Sequence, residues 1–179
     1  DPIDGTSNYA VHMGLFVVQI ALFDQGDIVL SYVYAPELNH TYYAMKGEGA
    51  YFNNRLYHVD DQVQATNFMV SMVGITQENN DKTYYYKLLE FAKENNYKLR
   101  MLGSIGLELA MASKGIFDVF YSNVTNIWDI YPGILLLREA GALLLNKSGE
   151  PYQLGRDINL FACKNQSVKD ILFDGMYKL

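Results

Sequence analysis

The sequence predicts an α/β protein whose first third is an antiparallel sheet, and three observations carry that prediction. Two apolar, β-branched and aromatic stretches, Leu15 to Phe23 and Ile28 to Tyr34, flank the turn DQGD and read as a hairpin of well-buried strands. From FMVSMV onward, strand-like and helix-like stretches alternate, which is the rhythm of helices laid on a sheet. Between the two regimes lies a polar stretch, HVDDQVQAT, which divides the chain into an antiparallel-sheet part, residues 1–62, and an α/β part, residues 63–179.

The elements follow in order. The chain opens on DPIDGTSNY, where Pro2 fixes its own backbone and pushes Asp1 toward extended geometry. Gly5 lets the chain turn where a side chain would clash, so Asp1 and Asp4 are expected around a tight bend. After the hairpin, HTYYAMKGEGAYFNN continues the sheet with short strands and a turn at Gly47 and Gly49. Beyond the boundary, FMVSMV is extended, DKTYYYKLLEFAKENN helical, YKLRML extended, and IGLELAMASKG helical with Gly103 and Ser104 directly before it. FDVFY is then a strand, WDIYPGILLLREAG a helix, ALLLN and INLFAC strands, and the remainder a helix. In WDIYPGILLLREAG, Asp129 stands at the helix start, Pro132 is tolerated in the first turn, and Gly141 ends the element.

Composition removes several classes of function. With 14 basic against 20 acidic residues, a formal net charge of −6 and no basic run, the electrostatic footprint of a nucleic-acid partner is missing. The longest apolar run, LFVVQIALF, is broken by Gln19 and is too short to span a bilayer, so no membrane partner is expected. The single cysteine, Cys163, forms no intrachain disulfide, which suits a reducing cytoplasm and a buried, inert thiol. The chain has no initiator methionine and its first residue already belongs to a dense motif, so a longer parent protein is expected.

The chemistry-bearing stretches each admit a plain reading. Asp4 before Gly5 can cap its own turn, or it can join Asp1 in facing one hard cation, with the following amides facing an anion. Asp129 can be an N-cap or a partner of the helix dipole. Ser104 can cap the helix that follows it, and the free amides of that helix start can hold a phosphate or a sugar hydroxyl. His12, His40 and His58 share no metal-ligand spacing, and Tyr84, Tyr85 and Tyr86 read as packing without a basic groove beside them. Glu139 and Arg138 read as surface charges or structural partners, and Glu48 as a solvated turn residue.

In combination these stretches say more. DPIDGT followed by a distant WD and EAG closely resembles the metal-dependent, lithium-sensitive phosphatase superfamily, and specifically the inositol monophosphatase family. The resemblance covers essentially the whole chain, since KGEGAYFNN is similar to that family's glycine-rich hairpin and RMLGSIGLE to its substrate-side helix start. It implies a layered αβαβα sandwich of the sugar and inositol phosphatase type, here without its N-terminal helices, and a homodimer. It also implies Mg2+ as cofactor, held by the carboxylates of Asp1, Asp4 and Asp129 and the backbone carbonyl of Ile3. Gly5 and Thr6 would present amides to the phosphate, and the Thr6 hydroxyl would orient the attacking water. Gly103, Ser104 and Ile105 correspond to the stretch that lines the sugar or inositol pocket.

The implied reaction is hydrolysis of a small phosphate monoester by an activated water. 3′-Phosphoadenosine 5′-phosphate and sugar phosphates such as fructose 1,6-bisphosphate are the alternative substrates, and a non-catalytic dimerising or regulatory module on the same fold is the rival from another class. Two departures qualify the resemblance. The family also uses glutamates upstream of DPIDGT, which this sequence begins too late to contain, so the fragment is expected to be impaired. Ser122 stands where inositol monophosphatases generally carry a glutamate that binds inositol hydroxyls.

Overall fold

The computed structural model describes residues 1–59, 68–73, 83–123 and 126–177. A short helix, α1 (Thr6–Ala10), is followed by five strands: β1 (Val18–Asp24), β2 (Asp27–Ala35), β3 (His40–Met45), β4 (Gly49–Phe52) and β5 (Arg55–Tyr57). They form one antiparallel meander in the order β1-β2-β3-β4-β5. Tight turns close it at residues able to take positive φ, namely Gln25 and Gly26 (46° and 89°) and Asn53 and Asn54 (46° and 64°). The first strand begins at Val18 rather than Leu15, because Val17 is occupied in a bridge with Asp4. The expected boundary stretch lies, from residue 60 on, outside the described residues, as do Asp81 and Lys82 of the expected helix.

The second half contributes β6 (Met69–Met72), α2 (Thr83–Glu94), β7 (Lys98–Arg100), α3 (Ile105–Ser113), β8 (Val119–Ser122), α4 (Ile127–Ala140), β9 (Leu143–Leu145), β10 (Leu160–Cys163) and α5 (Gln166–Tyr177). Its sheet has the order β7-β6-β8-β10-β9, parallel across β7, β6 and β8 and antiparallel across β8, β10 and β9. The expected α/β alternation is thus present, with a mixed sheet beneath it. Among the described residues, no helix is long and apolar enough to cross a membrane.

The layers follow from which faces are apolar. α3 and α4 are buried almost all round and share one core with the inner face of the first sheet and with Phe120, Leu160 and Ala162 of the second. α2 and α5 bury only a stripe, through Leu88, Phe91, Leu172 and Phe173, and cover the other face of the second sheet. The order is therefore sheet, helix pair, sheet, helix pair. The inner face of the first sheet carries small side chains, Ser31, Ala35, Ala44 and Ala50, which let the helices come close. Its outer face carries exposed apolar residues, including Ile20, Leu22, Tyr32 and Met45.

Two charged residues pin neighbouring elements. Asp118, just before β8, pairs with Lys164 after β10 (2.9 Å) and accepts from Met69 N (2.7 Å). Glu139, in the last turn of α4, accepts from the amides of Gly47 and Gly49 (both 2.9 Å), so the glycine turn after β3 hangs on the helix end. Of the two roles open to Glu139, it fills the structural one. Replacing it with alanine leaves two turn amides without this acceptor, so Glu139→Ala should cost about 1–2 kcal/mol of unfolding free energy and lower Tm by a few degrees. Calorimetry checks this, and an unchanged Tm would contradict it.

Candidate active site

Three segments distant in sequence meet at one corner of the helix pair. The segment before α1 runs antiparallel to β1: Gln19 N donates to Asp1 O (2.9 Å), and Asp4 and Val17 exchange both backbone bonds (2.9 and 3.0 Å). Gly5 then turns with φ 87°, and a Cβ there would sit 3.0 Å from both Leu15 O and the Ser104 Cβ, so the position has room only for glycine. The bend expected around Asp1 and Asp4 is an extended pairing followed by this left-handed turn. Thr6 opens α1 and is exposed, while Ile3 donates its N–H to Asp1 Oδ1 (2.9 Å).

Asp129 arrives on the first turn of α4, where the cap position is taken by Asn126. It is therefore not the N-cap; the acid lies three residues further in, with Asn126 Nδ2 donating to its Oδ2 (3.3 Å), well placed for the positive end of the helix. Buried Gln19 ties this turn to β1 by donating its Nε2 to Asp129 O (3.2 Å). One carboxylate oxygen each from Asp1, Asp4 and Asp129 lies within 4.8 Å of the other two. At that range two ionised carboxylates repel by roughly 3 kcal/mol at an effective dielectric of about 20. Such a cluster of hard oxygens fits a hard divalent cation and is costly without one.

Asp4 carries the site into the second motif. Buried at 7% exposure, its Oδ2 accepts from Ser104 Oγ (2.5 Å) and from Gly106 N (2.8 Å). Burial pushes its acid strength down, raising the pKa against the opposing pull of Ser104 and of the Gly106 and Ile105 amides. Ser104 caps α3 as expected, accepting from Leu107 N (3.4 Å). The amides expected to be free for a ligand at this helix start are instead partly spent on Asp4 and Ser104. Of the expected substrate-side residues, Gly103 is exposed, whereas Ser104 (1%), Ile105 (5%) and Ser122 (1%) present almost no surface. Ser122 ends β8 opposite Leu160. Beside Asp1, a cavity of about 410 Å3 is lined mainly by apolar groups, among them Phe23, Trp128 and Tyr131.

Three residues of this corner escaped the sequence reading. Glu108 is wholly buried in α3, its Oε1 accepting from Leu102 N (3.0 Å) and Gly103 N (3.2 Å) and its Oε2 from Ser71 Oγ. Asn8 donates through Nδ2 to Leu102 O (2.7 Å) and Leu15 O (2.6 Å). Gln19 is the third. The signal for Glu108 was available, as a lone acid in the otherwise apolar IGLELAMA; that of Gln19 was its interruption of LFVVQIALF.

The fold and the acidic corner define a layered α/β protein in which three carboxylates from distant segments converge. The chain belongs to the inositol monophosphatase family, whose sequence profile matches residues 1–173. It is 34% identical over 150 residues to a fructose-1,6-bisphosphatase/inositol-1-monophosphatase of Thermotoga maritima, covering 84% of this chain and 56% of that protein. It is 29% identical over 150 residues to a putative Nus factor SuhB of Neisseria meningitidis, covering 84% of this chain and 58% of that one. The chain thus spans little more than half the length of these relatives. The extragenic suppressor protein suhB of Bartonella henselae superposes with a TM-score of 0.84 at 28% identity, over 99% of this chain and 68% of that one. The layered architecture implied by the sequence is that of these structures.

Burial pushes Glu108 up to about 7 from an ordinary 4.5, with Ser71 and the Leu102 and Gly103 amides pulling the other way. The folded protein therefore keeps this proton longer than the unfolded chain, and the stability it contributes is full below about 4.5 and lost as pH rises through about 7. In metal-free protein, raising the pH from about 5 to about 7.5 should cost the wild type up to about 3 kcal/mol more than Glu108→Gln, whose amide does not titrate. Urea unfolding of both at several pH values reads the difference; parallel curves would contradict it.

Proposed function

We propose that the chain provides the cation-binding and phosphate-binding corner of a Mg2+-dependent phosphomonoesterase that hydrolyses a small phosphate monoester such as an inositol phosphate. The observation that carries this is the trio of carboxylate oxygens within 4.8 Å, drawn from both sequence motifs. Asp1, Asp4 and Asp129 would hold the ion, with the Ile3 carbonyl beside them. Bound there, Mg2+ would act as a Lewis acid that neutralises charge on the phosphoryl group as the ester bond breaks.

Residues of this chain support that chemistry. Asp4, fixed by Ser104 and Gly106, keeps its carboxylate facing Asp1 and Asp129. Gly5 and Thr6, at the start of α1, offer amides toward the phosphate, and the exposed Thr6 hydroxyl orients the water that attacks it. Ser122 lacks the length and charge of a glutamate, so an alcohol other than inositol, as in 3′-phosphoadenosine 5′-phosphate or fructose 1,6-bisphosphate, is the alternative. The relative named a putative Nus factor supports a second reading, a regulatory module on the same fold. The retained trio favours the enzyme, since acids gathered without a cation only repel.

The test is Asp129→Asn in the protein at its natural length. It should keep its fold and thermal profile, bind Mn2+, used as a spectroscopic surrogate, on the order of 100-fold more weakly, and lose Mg2+-dependent phosphate release. An unchanged rate would sink the mechanism. Wild-type Mn2+ binding without release from any of the three esters would favour the regulatory module.

A further inference from the structure

A second buried carboxyl lies beneath the site. Glu108 is 0% exposed at the centre of the molecule, in a helix whose neighbouring positions are apolar. A buried carboxyl is costly to maintain, and a leucine there would pack without that cost, so core filling does not account for it. Its three hydrogen bonds do: two go to the amides of Leu102 and Gly103, and the third joins it to Ser71 on β6. The same turn is held from its other side by Asn8, which donates to Leu102 O. Gly103 has φ 77°, and a Cβ there would come within 3.2 Å of the Asn8 amide, so the turn fits closely between its two holders. What leaves this turn is Ser104 Oγ and, one residue into α3, Gly106 N, both on Asp4 Oδ2.

We propose that Glu108 is a positioning residue of the cation site: it fixes the Leu102–Ser104 turn against the second sheet and thereby sets the direction of the Asp4 carboxylate. The proposal rests on the reading of Asp1, Asp4 and Asp129 as that site. An anchored Oδ2 fixes the plane of Asp4, and with it the approach of the group to Asp1 and Asp129. Cation affinity therefore depends on a side chain that does not touch the ion.

The test is Mn2+ titration by electron paramagnetic resonance on the wild type, Glu108→Leu, Glu108→Gln and, as a control for lost stability alone, Glu139→Ala. Glutamine keeps an oxygen for the two amides and offers an N–H to Ser71 Oγ, so it should bind Mn2+ within about threefold of wild type. Leucine frees both amides and should weaken binding about 10-fold or more, while Glu139→Ala leaves it unchanged. Equal affinity in folded Glu108→Leu, or an equal loss in Glu108→Gln, overturns the proposal. If Glu108→Leu does not fold, Ser71→Ala replaces it, with roughly threefold weaker binding expected and unchanged binding overturning the idea. A wild type that binds no Mn2+ overturns the reading of the trio itself, an outcome distinct from a wild type and Glu108→Leu that bind alike.

Discussion

The structure depends on a single carboxylate that belongs to two layers at once. Asp4 is bound through its backbone to Val17, beside the first sheet, and through its side chain to Ser104 and Gly106, at the start of the helix sandwiched between the sheets. Its burial is expensive, and the offset comes from charge-assisted bonds at a helix N-terminus, where backbone dipoles also favour a negative group. Gly5 follows from the same contact. With the Ser104 Cβ and Leu15 O each 3.0 Å from where its own Cβ would lie, the chain can leave Asp4 only through a left-handed glycine.

That contact forms only because the helices come close to the first sheet. Ser31, Ala35, Ala44 and Ala50 keep the inner face of the sheet shallow, and Gly106 lets the Gln19 side chain lie against α3. Gly133 does the same between α3 and α4, where a Cβ would fall 2.4 Å from the Leu109 Cβ. Small residues at these crossings thus set the separation of Asp1, Asp4 and Asp129. That spacing is a packing result, decided by small side chains at the helix and sheet crossings.

Much of this was legible in the sequence, for reasons specific to each element. The strands β2, β3 and β4 announced themselves through alternation and glycine turns, and α4 through its proline, its apolar run and Gly141, which ends it with φ 90°. The start of β1 was misplaced because Leu15 and Val17 look like strand residues, and nothing local says that Val17 pairs with Asp4. Asp129 was legible as a helix-start acid but not as distinct from the cap, because Asn126 competes for that role and hydrogen-bond geometry decides between them. Glu108 showed in the sequence only as a lone acid in an apolar helix and Asn8 not at all, since the contacts of Glu108 with Ser71 and of Asn8 with Leu102 join residues far apart in the chain.

The remaining imbalance at the corner points outward. Asp4 has hydrogen bonds and a helix end in its favour, yet burial still raises its pKa, so the protein's own groups do not fully compensate its charge. The Asp4 charge in turn adds to the burial that raises Glu108, and the carboxylates of Asp1 and Asp129 stand within 4.8 Å of Asp4. Lys46 and Arg138 pair with Asp27, and Lys164 pairs with Asp118. A bound divalent cation would complete the compensation and, by binding the folded chain alone, would stabilise it in proportion to the logarithm of its concentration over Kd. Folding and cation binding at this corner would then be one equilibrium, with Asp4, its backbone in one layer and its side chain in the next, joining the two.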